Sequence, residues 1–221
     1  MSSTHPTAAD GKRPYDARNR RERAERERTE TRRRVVDAAG RLFVANGYTA
    51  TTMTDIAREA GVAIASVYKA GKSKADLLHL VVDLAVAGDD EDVKVHERPQ
   101  FGAIAAERDP LRQVALLAAA IADVQERSAP VQAAYREAAA TDATVATSVR
   151  DAHHRRHETF ALIIGALPAD QLRNSVAEST DLAWTLGSPE VFQLLRDVQG
   201  WSAERYLDWL TRTLTNELIA P

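Results

Sequence analysis

The chain has no cysteine among its 221 residues. That excludes disulfides, thiolate nucleophiles and cysteine-ligated zinc, and it fits a reducing compartment. Aromatic residues are scarce, at 5%, and the chain is instead rich in alanine and leucine, which favours helix over sheet. The longest apolar run, Val114–Ala122, falls far short of the ~20 residues that a membrane span requires. The N-terminus, MSSTHPTAADGKRPYD, has no apolar stretch of the kind a secretory signal carries. There is no Gly-rich phosphate loop, GxSxG, HExxH or pairing of carboxylates in an apolar setting, so nothing points to an enzyme. Beyond residue 100 there is no strand-like alternation, and no repeat of 20–50 residues is present. These absences predict a soluble, cytoplasmic, all-α protein that spans no membrane and needs no cofactor.

What is present is unevenly distributed. The net charge is −3, but residues 1–34 hold 11 Arg/Lys against 6 Asp/Glu. A basic leader of +5 therefore precedes a body of −8, which suits one end that faces nucleic acid and one that does not. Residues 1–30 are read as a basic, disordered arm. Within it, residues 17–34 have helix-forming side chains but no apolar stripe, and Glu22–Arg26 offers an i,i+4 ion pair. That stretch is either a solvated extension of the first helix, a loose tail, or an arm that touches phosphates or the minor groove.

The densest signal lies in Thr51–Leu80, TTMTDIAREAGVAIASVYKAGKSKADLLHL. Ala57 is small enough to admit a crossing helix, and Gly61 can take the positive φ of a tight turn. Ile56, Val62 and Val67 supply an apolar wedge. Two short helices joined in this way form a helix-turn-helix, whose second helix fits a DNA major groove. The pattern predicts helices at about 31–46, 53–60, 63–69 and 74–87. Asn46-Gly47 closes the first, Thr52 caps the second with Asp55 three residues on, and Ser73 caps the fourth with Asp76. Residues 88–100 read as a linker. Further helices are expected at about 110–127, 129–140, 142–166, 170–186, 189–198 and 202–219, with Pro110, Pro130 and Pro189 at helix starts.

Segment Arg33–Val86 resembles the DNA-binding domain of the TetR family of bacterial transcriptional regulators. The likeness rests on Leu42-Phe43, Asn46-Gly47-Tyr48, Thr51-Thr52-Met53, Asp55-Ile56-Ala57, Ala60-Gly61-Val62, Val67-Tyr68 and Ser73-Lys74-Ala75-Asp76-Leu77-Leu78. One departure is Ala70-Gly71-Lys72, where the family often has an aromatic residue; it predicts looser packing after the recognition helix. Trp184–Phe192 and the region Gly200–Leu210 resemble the C-terminal end of actinobacterial members. The resemblance implies a helix-turn-helix domain at 31–78 and a larger helical bundle at 79–221. The bundle would serve for ligand binding and dimerisation, with the last two long helices at the interface. It also implies a repressor, released from a palindromic double-stranded DNA operator by a small-molecule effector. An activator or dual regulator with the same DNA domain is the alternative, and a sequence-blind nucleic-acid binder is a third.

Residue chemistry names the candidate contacts. Thr51, Thr52 and Ser66 offer hydroxyls to phosphates, Tyr68 a phenol, and Lys69, Lys72 and Lys74 positive charge. Base reading would fall on Ala63, Ile64, Ala65, Ser66 and Lys69, where Ile64 and Ala65 can meet thymine methyls and Lys69 guanine acceptors. The competing role of the threonines is helix capping, and that of Tyr68 is a core aromatic. For the implied pocket the candidates are Leu117, Ile121, Tyr135, Arg156, Phe160 and Trp184. Val145, Val149, Ala152, Arg156, Phe160 and Ile163 share one helical face. Arg156 there would pair with an acidic ligand group or with a neighbouring carboxylate. His153 and His157 stand one turn apart but lack a third ligand on their face, so no metal site is expected.

Overall fold

The computed structural model describes residues 14–88 and 98–221, with the side chains of residues 14–17 and 100 outside the description. Ten α-helices cover most of it, and no strand forms among the described residues. The helices are α1 (Pro14–Ala50), α2 (Met53–Ala60), α3 (Ile64–Ala70), α4 (Lys74–Ala87) and α5 (Pro99–Ala106). They continue with α6 (Pro110–Ala139), α7 (Ala143–Ile164), α8 (Val176–Leu186), α9 (Pro189–Gln193) and α10 (Ala203–Leu218). Among the described residues no helix is long and apolar enough to cross a membrane.

Two cores form, and α6 runs through both. The first gathers Val35, Phe43, Ile56, Val67, Leu77 and Leu78 from α1–α4 against Val131, Ala134 and Tyr135 of α6. The second packs Val114 and Leu117 of α6 with Ile164 of α7 and with Tyr206, Leu210, Leu214 and Leu218 of α10. The last four recur at every fourth position, so one stripe of α10 is fully buried. Each such leucine contributes about 1.5–3 kcal/mol.

Four sequence expectations change. First, the leader from Pro14 onward is helical and continuous with α1, not loose chain. Its side chains stay in solvent, and its ion pairs are Arg18–Glu22 (2.8 Å) and Arg23–Glu27 (2.9 Å), so Glu22 turns to Arg18 and not Arg26. Helix propensity and these i,i+4 pairs carry the segment without an apolar stripe. The arm's residues 1–13, and residues 89–97 of the expected linker, lie outside the described residues. Second, Pro130 does not start a helix; it lies inside the 30-residue α6. A mid-helix proline costs about 3 kcal/mol, but α6 is packed by α1, α4, α7 and α10 together, and that burial holds it in one piece. Third, Pro99 opens a helix: it stands at the first turn of α5, which buries Phe101 and Ile104. Fourth, the expected helix 170–186 is a short 3-10 turn, Ala169–Gln171, followed by α8. Ser175 and Glu178 form a reciprocal capping box that fixes the later start of α8.

Candidate nucleic-acid interface and internal cavity

The turn between α2 and α3 is built as its residues dictate. Thr52 caps α2: its Oγ1 accepts from the Asp55 N–H (3.1 Å), and the Asp55 carboxylate accepts from the Thr52 N–H (3.2 Å). The Thr52 hydroxyl also donates to Asp55 (2.6 Å), which with Arg58 holds that carboxyl below the usual aspartate range. Gly61 sits at φ 64°, a region costly for residues with a Cβ, and its N–H closes on Ala57 and Arg58. Ile56 and Val67 are fully buried between the crossing helices, and Arg41–Glu59 ties α1 to α2 on the surface.

With Val67 as the inward anchor, the rest of α3 faces out. Ala63, Ala65 and Lys69 are exposed, Ser66 is half-buried, and Ile64 and Tyr68 keep 41% and 52% of their surface in solvent. Tyr68 is therefore not a core aromatic. Lys72 is exposed beside this face. Thr52 is on the surface too, its hydroxyl engaged as the cap.

Two predicted contacts are turned inward. Thr51 is 1% exposed and its Oγ1 donates to the Gly47 carbonyl (2.9 Å) and the Leu42 carbonyl (3.2 Å). The cause is the kink in α1 at Gly47 (φ 78°), which interrupts the helical hydrogen bonds and leaves carbonyls to be satisfied. Lys74 serves the same break. Its Nζ donates to the carbonyls of Tyr48 (2.9 Å) and Thr51 (3.1 Å) and stands 4.2 Å over the Tyr48 ring. A lysine in the first turn of α4 opposes the helix dipole, so these acceptors explain its place. Neither Thr51 nor Lys74 presents its side chain freely to a phosphate.

Gly71 reverses the expectation of looser packing. It is buried, and a Cβ there would lie 2.6 Å from Leu77 Cδ2. The missing side chain lets Leu77 seat against the backbone that leads out of α3.

Tyr48 connects this module to the rest. Its hydroxyl donates to Asp142 Oδ2 (2.8 Å), while Asp142 Oδ1 accepts from the N–H groups of Thr144 and Val145 as the cap of α7. The Tyr48 hydrogen bond, followed by those N–H groups, holds the Asp142 carboxyl below its ordinary range. Burial, then the carboxylate, pushes the Tyr48 phenol far above its own.

Between α1, α4, α6 and α7 lies a half-open cavity of about 1250 Å³. Leu117, Ile121, Tyr135, Arg156 and Phe160 line it. Trp184 does not line it directly; its ring supports the Arg156 guanidinium at 4.6 Å. Of the shared face of α7, Val149, Ala152, Phe160 and Ile163 reach the cavity, whereas Val145 belongs to the first core. Burial lowers the Arg156 pKa to about 10, opposed by the field of Glu190. The wall also holds His153, weighed above only as a metal ligand, and Gln125, Arg136 and Glu190, which the sequence did not single out. Their polar side chains break the helical pattern only one at a time, and the fold alone brings them together. His153 and His157 turn edge-on to Trp184, and His157 is engaged by Asp181 at 2.7 Å. Among the described residues no group of three or more His, Asp or Glu side chains is placed to hold a metal ion.

Comparison with known proteins agrees with this geometry. Residues 35–81 match the family described as "Bacterial regulatory proteins, tetR family". No curated protein sequence matches the chain. Among solved structures, the chain is similar to NalD of Pseudomonas aeruginosa, the secondary repressor of the MexAB-OprM multidrug efflux pump. The two share 20% identity over 86% of this chain and 97% of that one, with a TM-score of 0.63. A transcriptional regulator from Rhodococcus sp. Rha1 gives 16% identity over 86% and 99%, at 0.59. The SmeT–triclosan complex gives 16% over 86% and 92%, at 0.64. At these identities the likeness speaks for the fold alone.

Proposed function

We propose that this chain, whose residues 35–81 match the tetR family of bacterial regulatory proteins, is a ligand-responsive transcriptional repressor that binds a palindromic operator in the cytoplasm as a homodimer. The observation that carries this is the orientation of α3: Val67 pins it inward while Ile64, Ala65, Tyr68 and Lys69 face solvent together. A helix so presented fits a major groove, and a two-fold dimer sets two of them about one duplex turn apart. Ile64 and Ala65 meet thymine methyls, and Lys69 and Lys72 meet base acceptors or phosphates. The recognition helix has no Asn, Gln or Arg, so DNA shape carries a share of the specificity. The helical arm adds nine arginines against five carboxylates between Pro14 and Arg34, enough to contribute phosphate contacts.

The effector acts through α4 and α7. One end of α4 holds Lys74 in the latch beneath the helix-turn-helix, and the other lines the cavity with Leu80, Leu84 and Val86. The cap of α7 is bound to Tyr48, and its middle lines the same cavity. A ligand that fits better when these helices are displaced moves the α3 pair off its groove spacing, at a coupling of about 1–3 kcal/mol. NalD and SmeT offer precedent in name, as a repressor and as a complex with a small molecule.

The test is selection of binding sites from random duplex DNA, followed by gel shifts. Enrichment of a palindrome bound by two chains supports the reading; sequence-blind coating refutes it. A promoter carrying the selected site, fused to a reporter, distinguishes repression from activation.

A further inference from the structure

The inner wall of the cavity holds a positive charge that the protein leaves without a carboxylate. Among the described residues no Asp or Glu forms an ion pair with Arg156. Glu190, whose field reaches it, is paired with Arg136 at 3.2 Å. The guanidinium donates to the Gly187 carbonyl at a long 3.4 Å, and that oxygen already accepts from Gln125 Nε2 at 2.7 Å. Gln125 is 3% exposed, lines the cavity, and its Oε1 has no donor. The rings of Trp184 and Phe160, 4.6 and 5.5 Å from the guanidinium, return part of the cost of shielding it from water. Around it the wall combines hydrocarbon from Leu117, Ile121, Val124 and Ile163 with the polar groups of Gln132, Tyr135, His153 and the Arg136–Glu190 pair. The exposed charged residues of the lining are Arg32, Arg33 and Arg155 beside Asp37, Asp83 and Glu158, so the outer part of the cavity selects no sign of charge. Selection falls on the interior, where a planar cationic fork without a carboxylate partner shares the wall with the hydrocarbon of Leu117, Ile121 and Ile163.

We propose that this cavity binds an apolar monocarboxylic acid, its carboxylate held by Arg156 and its hydrocarbon body against Leu117, Ile121 and Ile163. The class rests on the reading of the cavity as the effector site. A guanidinium offers two parallel N–H donors that match a carboxylate, and the pair strengthens where water is excluded. Gln125 Oε1 accepts from a hydroxyl where the acid carries one. A cationic ligand meets repulsion from Arg156, and a neutral one leaves the guanidinium as unsatisfied as before.

The experiment titrates the full-length protein with decanoate, 1-decanol and decyltrimethylammonium by calorimetry. Decanoate should saturate at one molecule per chain and bind at least about tenfold more tightly than 1-decanol, the size of a charged hydrogen bond. Decyltrimethylammonium should be the weakest. Arg156→Gln should abolish the preference for decanoate and leave 1-decanol binding intact, which also reports that the cavity is folded; Arg156→Lys should restore part of the preference. Equal binding of acid and alcohol, no saturable decanoate binding, or an unchanged preference in Arg156→Gln overturns the proposal. Gel shifts on the selected operator separate the two readings. Decanoate bound through Arg156 without any change in DNA affinity sinks the effector role and leaves the acid site standing. Release by decyltrimethylammonium, but not by decanoate, sinks the acid and leaves the regulator.

Discussion

The Tyr48–Asp142 hydrogen bond joins the helix-turn-helix module to α7, and removing it should be visible in stability and in pH dependence. Tyr48→Phe keeps the ring against Phe43 (centroids 5.8 Å apart) and under Lys74, and deletes only the hydroxyl that donates to Asp142 at 2.8 Å. Hydrogen bonds to charged acceptors contribute about 1.5–3 kcal/mol when buried. The Asp142 side chain is only partly shielded and regains water when the phenol is gone, so a loss of about 1 kcal/mol is expected. In a protein of this size that is a fall in Tm of about 2–4 °C. The sign with pH follows from the lowered Asp142 pKa. A carboxyl depressed in the folded state contributes in full above its unfolded value of about 3.9 and loses that contribution as pH falls through the folded value. The gap between wild type and Tyr48→Phe should therefore be constant from about pH 5 to 8 and shrink below about pH 4. A double-mutant cycle with Asp142→Asn should return a coupling of about 1 kcal/mol. Thermal melts at several pH values and urea titrations measure all of this. An unchanged Tm, or a gap that persists undiminished into acid, refutes the strut.

Other perturbations separate structural cations from DNA-facing ones. Lys74→Met should lower stability by about 1.5–3 kcal/mol, since it strips charged donors from two carbonyls, yet leave the salt slope of operator binding unchanged. Lys72→Ala should leave the melting curve alone and reduce that slope by about 1, read from fluorescence anisotropy across a salt series. Gly71→Ala should destabilise by about 1–3 kcal/mol in denaturant, because its Cβ would meet Leu77 at 2.6 Å. Removing residues 1–30 should weaken operator binding and flatten its salt slope; equal affinity and slope in the truncated protein would exclude the arm from the complex.

The helix-turn-helix was legible because its signals are local. Thr52, Gly61 and Ser73 take the cap and turn roles that their chemistry prescribes, and Ile56 and Val67 bury where the spacing puts them. Thr51 and Lys74 have the right chemistry for phosphate, but their direction is fixed by the break at Gly47, whose freed carbonyls claim both side chains. The same gap between residue type and tertiary context hides the uninterrupted α6, where neighbours on several sides outweigh the penalty of Pro130. The cap of α8 differs: Ser175-Val176-Ala177-Glu178 is a readable signal, and the periodic residues on either side of it mask the earlier break. In the cavity Arg156 stood out as a cation on an apolar face. Its lack of a carboxylate partner, and the orphaned oxygen of Gln125 beside it, emerge only when α6, α7 and the Gly187 carbonyl are brought together.

Ala65 lies on the outward face of α3, is exposed and belongs to neither core. Operator affinity of Ala65→Glu, measured beside its melting curve, therefore probes the DNA-facing role of α3 with little confusion from folding. Loss of specific binding at an unchanged Tm is the expected result, since a carboxylate would face the phosphates and methyls of the groove. Wild-type affinity for the selected palindrome in that variant would contradict the assignment of α3 as the helix that reads DNA.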